Sequence, residues 1–316
     1  MKNRTGRIHA ELRRVADGIL TGQPGAGLPM HIATAALPLD RRLQDELHGW
    51  YASLAQADAE IPYCIDAQAV SLSANLQRVT WHVSGSPAPF SHALKRCLKH
   101  YELRYENLAD LDEAIRAVQP VQLGAWICAQ PQTFEVGWYM RPLENRLDLA
   151  CAALPASSDL DRLLERAERA GVRECMRIGR SFVTDDELTE VYLRVSAPAP
   201  AQVLEAGLRL FEIFEQPLPG DAVESVLQLH QHNELFAALW LGRGGLAKLG
   251  LMLPGPSTGM VLRMLDVVGQ EHARELAVFE GMLGVSGPAY LEFQRLAEGQ
   301  GAELHYIVPA SPTSSA

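Results

Sequence analysis

The chain has 316 residues, with 28 lysines and arginines against 38 acidic residues, and a formal net charge of −10. This acidity argues against electrostatically driven nucleic-acid binding, but it does not exclude a small anion held in a local basic pocket. No run of about 18 apolar residues occurs, so the sequence predicts no membrane-spanning segment.

The cysteines and the two ends of the chain indicate the compartment and the extent of the fold. The five cysteines have neither a Cys-x-x-Cys pair nor zinc-ligand spacing, which is typical of a reduced cytoplasmic protein with buried thiols. The basic N-terminus lacks an apolar segment and therefore does not resemble a secretory signal. We expect residues 1–30 to form a poorly ordered arm, residues 31–308 a single domain, and residues 309–316 a tail.

Helices and strands are predicted in a recurring order along the chain. An amphipathic helix over Leu39–Ala57 comes first, because its leucines recur at helical spacing. Strands are predicted at Ile61–Asp66, Leu76–Ser84, Gln122–Ala129, Thr133–Arg141, Arg173–Arg180, Leu188–Val195, Glu234–Gly242, Ala247–Leu253, Ala289–Ala297 and Ala302–Val308. Helices are predicted at Pro89–Tyr101, Leu108–Val118, Leu160–Ala170, Ala201–Phe214 and Gly259–Met282, and Pro142–Leu154 has no assignment.

The strands pair into hairpins that begin near residues 60, 122, 173, 234 and 289. Ten antiparallel strands leave two exposed edges unless the sheet closes, and the intervening helices can cover its outside. We therefore predict an α+β fold, a closed antiparallel ten-stranded β-barrel surrounded by helices. An open sheet with one solvent face is the alternative. Polar residues such as Arg78, Thr80 and His82 alternate along the strands and predict a solvated lumen with room for a ligand.

Several strands also resemble those of a known family. The stretch Glu60–Asp66 begins and ends with an acid, Gln77–Val83 carries Arg78 near its start, and Glu190–Val195 has a central tyrosine. With the closing hairpin from Ala289 to Tyr306, these strands resemble the ABBA, or PT-barrel, prenyltransferases, and among them the cyanobactin-type peptide prenyltransferases. The resemblance extends over about residues 30–308. It implies an enzyme that transfers a dimethylallyl or geranyl group from its diphosphate to a side chain of a ribosomally made peptide, linear or cyclic.

The resemblance also implies a catalytic acid and a diphosphate site. It places the family's catalytic glutamate at Glu60, with Asp66 as a second acid. The residues predicted to face the prenyl diphosphate are Arg78, Arg141, Arg194, Lys248, Tyr139 and Tyr192, of which Lys248 rests on the strand pattern alone. The family carries a lysine near Gly137 that this chain lacks, so Mg²⁺ bound through the diphosphate is expected to matter more. We predict no protein-ligated metal.

The pocket for acceptor and prenyl chain is predicted from the later strands. Its residues are Asp66, Phe236, Ala237, Tyr290, Glu292, Glu303 and His305, and Trp126 and Trp240 are further aromatic candidates. Small alanines after Phe236 would permit a chain longer than dimethylallyl. Glu292 and Glu303 would suit a cationic acceptor such as an arginine side chain, with tyrosine, tryptophan and histidine as alternatives. Both acids could instead face solvent at the barrel rim.

Two other functions remain open from the sequence. The same barrel could prenylate a small aromatic molecule such as an indole or a phenol. A barrel without catalytic activity, which binds a hydrophobic ligand or a peptide, is the third hypothesis, and the missing lysine near Gly137 keeps it open. The charge distribution predicts that the few inward-facing bases gather around one diphosphate, while the acidity lies mostly outside the barrel.

Overall fold

The structure is a computed structural model that describes residues 67–100, 105–131, 134–155, 157–182, 188–242, 244–270, 272–296 and 299–308. It also describes Asp45, Gly49 and Ser53, which are helical as the Leu39–Ala57 prediction requires, and Ile65. The predicted N-terminal arm, the C-terminal tail, Glu60 and Asp66 lie outside the described residues.

A closed barrel of ten antiparallel strands forms the centre of the molecule. Each strand pairs with its neighbours in the chain, and the first strand closes the barrel by pairing with the last. The strands are β1 Ala67–Ser73, β2 Val79–Gly85, β3 Gln122–Ala129, β4 Phe134–Arg141, β5 Glu174–Ser181, β6 Thr189–Ser196, β7 Glu234–Gly242, β8 Gly245–Pro254, β9 Tyr290–Leu296 and β10 Gly299–Val308. Closure confirms the predicted fold class and leaves none of these ten described strands with an unpaired edge.

Helices cover the outside of the barrel and connect successive hairpins. They are α1 Pro87–His100, α2 Tyr105–Val118, α3 Leu147–Ala152, α4 Ser158–Arg169, α5 Pro200–Ile213, α6 Asp221–Leu227, α7 Thr258–Val267 and α8 Ala273–Leu283. The hydroxyl of Ser157 caps α4 by accepting a hydrogen bond from the backbone of Leu160 at 3.1 Å. The hairpin turns therefore lie at one end of the barrel and the helix connections at the other.

The two faces of each strand meet different surroundings. In β6, Val191, Leu193 and Val195 are buried in the apolar layer between barrel and helices. Glu190 and Tyr192 point into the lumen, where Tyr192 packs with Ala238 and Met252. The alternation therefore places the hydrophobic core outside the barrel wall and the polar residues inside it.

Some predicted elements differ from the observed ones. The first described strand is Ala67–Ser73, which was not predicted, and the predicted strand Ile61–Asp66 lies outside the described residues except for Ile65, which is not in a strand. The predicted helix Gly259–Met282 is interrupted, because Gly269 adopts a left-handed φ of 73° that ends α7. Helices α3 and α6, both short, had no counterpart in the prediction.

None of the described helices is both long and apolar enough to cross a membrane. The described cysteines Cys97, Cys128, Cys151 and Cys175 are buried and form no disulfide.

Candidate active site

A chamber of about 150 Å³ lies inside the barrel, towards the end that carries the hairpin turns. Most of its lining is polar or aromatic. The lining residues are Ser71, Arg78, Thr80, His82, Cys128, Gln130, Glu135, Leu188, Tyr192, Trp240, Ala247, Lys248, Leu296, Glu303 and His305. This volume is below the roughly 300 Å³ at which ligand pockets usually begin, so side chains fill most of the lumen.

Arg78 enters the chamber from the start of β2 and is held by the closing hairpin. Its guanidinium donates hydrogen bonds to Glu303 Oε2 at 2.5 Å and to Gln294 Oε1 at 2.8 Å. The other carboxylate oxygen of Glu303 accepts a hydrogen bond from Ser71 Oγ at 2.5 Å. Strand pairing brings these residues together, because Ser73 lies opposite Glu303, and Glu303 opposite Glu292.

Lys248 supplies the second base of the chamber from β8. Its Nζ lies 2.9 Å from Glu292 Oε1 and 3.8 Å from Glu303 Oε2. His305 Nε2 lies 2.8 Å from the second oxygen of Glu292. The predicted residues Arg78, Lys248, Glu292, Glu303 and His305 thus form one cluster, which we call the upper ion-pair cluster.

The upper ion-pair cluster also has a group of potential metal ligands. The ligand atoms of Glu292, Glu303 and His305 lie within 4.8 Å of one another. Arg78 and Lys248 already provide the positive charge beside these carboxylates, so we assign the cluster to ion pairing and not to a metal ion.

Arg177 is a third lumen base, which the sequence patterns did not reveal. Its guanidinium carbon lies 3.9 Å from the ring centre of Tyr139 and 4.8 Å from that of Tyr192. The guanidinium also donates two hydrogen bonds to Glu190 Oε1, at 3.0 and 2.8 Å. This arrangement is a cation held between two aromatic faces in a buried setting, where such contacts are strong.

A β-bulge in β5 explains why Arg177 was missed. The register between β5 and β6 shifts between Cys175 and Arg177, so that Cys175 pairs with Leu193 and Arg177 with Tyr192. Cys175 is buried in the outer core, and the extra residue Met176 brings Arg177 to the lumen face. Simple alternation from Cys175 would place Arg177 on the outside.

The lumen carboxylates differ in their protonation behaviour. Burial opposes ionisation of Glu303 and Glu292, but the bases beside them outweigh it and hold the pKa of both carboxyl groups below the ordinary range, most strongly for Glu303. Burial raises the pKa of Glu190 in spite of Arg177. Its Oε2 is buried and has no hydrogen-bond partner among the described residues.

The lumen also contains a neutral imidazole. Burial and the positive charge of Arg177 hold the pKa of His82 well below its usual range. Its Nδ1 lies 3.4 Å from the guanidinium, and its ring meets Tyr139 edge to face. His82 is therefore available as a hydrogen-bonding group but not as a cation near neutral pH.

Two predicted diphosphate residues lie away from the chamber. Arg141 is exposed at the end of β4, on the side of the helix connections. Arg194 lies at the same end, where it pairs with Glu234 at 2.7 Å and Glu174 at 3.3 Å. Neither residue lines the chamber, because alternation along a strand assigns a face and not a height along the barrel axis, and their contact with a diphosphate stays a prediction.

Only some of the residues predicted for the prenyl pocket lie together in the lumen. Phe236 and Tyr290 meet edge to face and pack near Tyr192, below the chamber. Ala237 faces outward into the apolar layer with Leu193 and Leu251, so its assignment to the pocket was wrong by one residue. Its neighbour Ala238 faces the lumen.

The missing lysine near Gly137 has a steric explanation. A Cβ atom at Gly137 would lie 2.4 Å from the indole of Trp126 and 2.6 Å from the backbone oxygen of Arg180. Trp126 therefore occupies the space that a side chain at position 137 would need, and it meets Trp240 at 5.6 Å between ring centres.

The charge balance of the lumen also differs from the expectation. Within the described part of the barrel, Arg78, Arg177 and Lys248 are each ion-paired with a buried carboxylate, respectively Glu303, Glu190 and Glu292. The acidity is thus not confined to the outside, and the bases are not gathered as an unpaired anion site.

No protein-family model matches the chain. A PH domain-containing protein of Dictyostelium discoideum is 28% identical over 242 residues, and the match covers 75% of this chain. The chain spans about half of that relative, 52% of its length.

Comparisons with solved structures show the fold. The 5-dimethylallyltryptophan synthase from Streptomyces coelicolor aligns with a TM-score of 0.61 and 13% identity, over 92% of this chain and 97% of the enzyme. PriB in complex with product diphosphate aligns at 0.59 and 13%, over 96% and 99% of the two chains. The 6-dimethylallyltryptophan synthase from Micromonospora olivasterospora, in complex with DMASPP and Trp, aligns at 0.54 and 14%, over 76% and 80%. The chain therefore has the ABBA, or PT-barrel, fold.

Proposed function

We propose that this chain is a prenyltransferase that moves a dimethylallyl or geranyl group from its diphosphate to an acceptor inside the barrel. One observation carries the proposal: Arg177, held between Tyr139 and Tyr192, lies in the same lumen as Arg78 and Lys248. An allylic diphosphate needs cations for its leaving group and aromatic faces for the carbocation, and this lumen has both. The fold shared with dimethylallyltryptophan synthases supports the same reaction class.

The residues divide the reaction between them. Arg78 and Lys248 would bind the diphosphate, and they stabilise the negative charge that grows as the bond from carbon to oxygen breaks. Tyr192 and Trp240, which line the chamber, would shield the allylic cation from water. The acceptor forms the new bond to carbon and loses a proton to a carboxylate.

Two carboxylates are candidates for that proton. We propose Glu60 because of the resemblance of the stretch Glu60–Asp66 to the family, with Asp66 as its neighbour. Glu190 is the alternative, because its Oε2 has no partner among the described residues and its raised pKa makes it a stronger base than an exposed glutamate. Measuring the turnover of the Glu60→Gln and Glu190→Gln variants distinguishes the two candidates. Substitution of the true base should lower turnover about 100-fold or more.

Two kinds of acceptor are proposed, a peptide side chain and a small aromatic molecule. The resemblance to cyanobactin-type enzymes supports a peptide side chain. The small chamber and the fold shared with tryptophan-modifying enzymes support a single aromatic ring. Both ideas are compatible with one ring entering the lumen, either as a free molecule or as part of a peptide.

The decisive experiment is mass spectrometry of acceptor mixtures incubated with dimethylallyl or geranyl diphosphate and Mg²⁺. The mixtures contain free indoles and phenols, and linear and cyclic peptides with arginine, tyrosine, tryptophan or histidine. A mass gain of one isoprenoid unit, together with diphosphate release, supports the proposal. Diphosphate release without a prenylated product would indicate hydrolysis of the donor. If no donor gives either diphosphate release or a prenylated product, the proposal is contradicted.

Mg²⁺ is proposed as a partner of the diphosphate. The described lumen bases are already offset by carboxylates, so the leaving group would benefit from added positive charge. Mg²⁺ supplies charge neutralisation to the leaving diphosphate. We expect chelation with EDTA to lower turnover by about tenfold or more, with recovery on adding Mg²⁺ back, and an unchanged rate would remove Mg²⁺ from the proposal.

A second candidate function has an observation in its favour. Because each described lumen base is paired and the chamber holds only about 150 Å³, the barrel could bind a small uncharged ligand without catalysing transfer. Calorimetric titration separates the two functions. Binding of DMASPP favours the transferase, while binding of benzene-sized ligands alone favours the ligand-binding barrel.

A further inference from the structure

The upper ion-pair cluster occupies the positions that a diphosphate would need. Arg78 donates to Glu303 at 2.5 Å, and Lys248 lies 2.9 Å from Glu292 and 3.8 Å from Glu303. The two carboxylates are almost completely buried, with side-chain exposures of 0% and 4%. An incoming diphosphate must therefore either share Arg78 and Lys248 with these carboxylates or displace the carboxylates from them.

Electrostatics make simple addition of the anion unfavourable. A diphosphate bound to Arg78 and Lys248 would place several negative charges beside Glu292 and Glu303 in a site that excludes water. Buried like charges at such distances do not both stay ionised, and one group takes up a proton. The carboxylates have little room to withdraw, because a Cβ atom at Gly250 would lie 2.0 Å from Glu292 Oε1, so that oxygen rests against the barrel wall.

We propose that Glu292 and Glu303 compete with the diphosphate for Lys248 and Arg78, and that the diphosphate binds together with at least one proton. This inference rests on the proposed function, since it concerns the same diphosphate site. The protonated carboxyl group then donates a hydrogen bond to the diphosphate instead of repelling it. The competing carboxylates make anion binding dependent on pH.

The surroundings of the two carboxylates identify where the proton can go. The charged and polar groups that face them from the packed strands are Ser71 of β1, Arg78 at the start of β2, Lys248 of β8, Gln294 of β9 and His305 of β10. Without ligand, the bases hold the pKa of both carboxyl groups below the usual range. When the bases turn towards a diphosphate, burial dominates and favours the protonated form. His305 is the other nearby group that could accept the proton, because it contacts Glu292 at 2.8 Å.

The test is calorimetric titration of the full chain with DMASPP at about pH 8, where phosphate groups are already ionised. Titrations in two buffers of different ionisation enthalpy give the number of protons taken up with the ligand. We expect net uptake in the wild type, and weaker binding as the pH rises. Binding without net uptake, and with the same affinity over the pH range, overturns the inference while the proposed function stands.

Matched glutamine variants identify the proton site. Glutamine is neutral, nearly isosteric and still able to hydrogen-bond with Ser71, so Glu303→Gln should take up fewer protons and bind DMASPP about tenfold more tightly, as one pKa unit of coupling implies. Glu234→Gln, which changes the ion pair with Arg194 at the other end of the barrel, is the control and should match the wild type.

Each remaining outcome also decides the question. Weaker DMASPP binding by a folded Glu303→Gln variant overturns the inference. That result would mean that Glu303 supports the structure of the binding site instead of competing with the diphosphate. If that variant fails to fold, Glu292→Gln makes the same prediction. Uptake that persists in both glutamine variants but is lost in His305→Gln overturns the assignment to the carboxylates. No binding by the wild type or by any variant, together with no transfer, overturns the proposed function as well.

Discussion

Two sets of ion pairs, one at each end of the barrel lumen, use the same residue types at very different depths. At the helix-connection end, Arg194 and Glu234 lie 2.7 Å apart, and each side chain is 37% exposed. In the upper ion-pair cluster, Lys248 and Glu292 lie 2.9 Å apart with exposures of 7% and 0%. The separations are similar, so burial and not distance distinguishes the solvated surface pair from the buried pair that lines the chamber.

From this comparison of buried and exposed ion pairs, we expect the largest loss of stability when the buried Arg177, deep in the lumen, is replaced. Arg177→Met leaves Glu190 buried and unpaired, so we expect a loss of about 3–5 kcal/mol in the free energy of unfolding, measured with urea. The double variant with Glu190→Gln should recover part of that loss, because it removes the orphaned charge. A single-variant loss below about 1 kcal/mol would mean that Glu190 tolerates losing its partner.

The second-largest loss of stability is expected where Trp126 packs against Gly137. Gly137→Ala forces the indole or the backbone of β5 to move, and we expect a loss of about 1–3 kcal/mol in unfolding free energy. Gly301→Ala is the matched control on β10, because an added Cβ there meets nothing within 4 Å. Equal stability of the two variants would show that Trp126 moves easily and that a larger residue could occupy position 137.

Acid unfolding tests the upper ion-pair cluster. The folded-state pKa of Glu303 lies well below the ordinary 4.5, so this group contributes stability above that pH and loses it as the pH falls through its folded value. Glu190 acts in the opposite direction, because its raised pKa makes ionisation less favourable in the folded state. We expect unfolding free energy measured from about pH 6 down to about pH 3 to fall less steeply in Glu303→Gln than in the wild type. Identical slopes would contradict the depressed pKa.

The smallest effect is expected at the exposed end of the barrel. Arg194→Met removes two half-exposed ion pairs, so we expect a change of about 1 kcal/mol or less in unfolding free energy, and no change in DMASPP affinity. A large loss of affinity would return Arg194 to the diphosphate site and remove the distinction between the two ends.

The sequence predicted much of the barrel and less of the site. The ends of β3 and β7 were predicted as observed, because their apolar runs are bounded by clear turn signals. Arg78, Lys248, Glu292, Glu303 and His305 were all expected to share a lumen, and the structure brings them together, although their roles in catalysis stay predictions. β1 was not predicted, since the acids at Glu60 and Asp66 led the assignment to an earlier segment.

The errors in the site have separate physical causes. Arg177 was missed because a bulge changes the alternation of its strand, and no periodic pattern reveals a bulge. Ala237 was misplaced because a shift of one residue reverses the face of a strand. Arg141 and Arg194 lie away from the chamber because residues on the same face of a strand can lie at opposite ends of a barrel.

The amino-acid sequence by itself determined the number of hairpins, the barrel class and several of the inward-facing polar residues, since these follow from local periodicity and turn residues. Only the tertiary structure decided that, in the described part of the lumen, three carboxylates neutralise three bases, because each pair joins residues from different hairpins or different strands. Closure of the barrel fixes those partners and their burial. The net charge of −10 therefore says little about the lumen, where acids and bases are closely balanced.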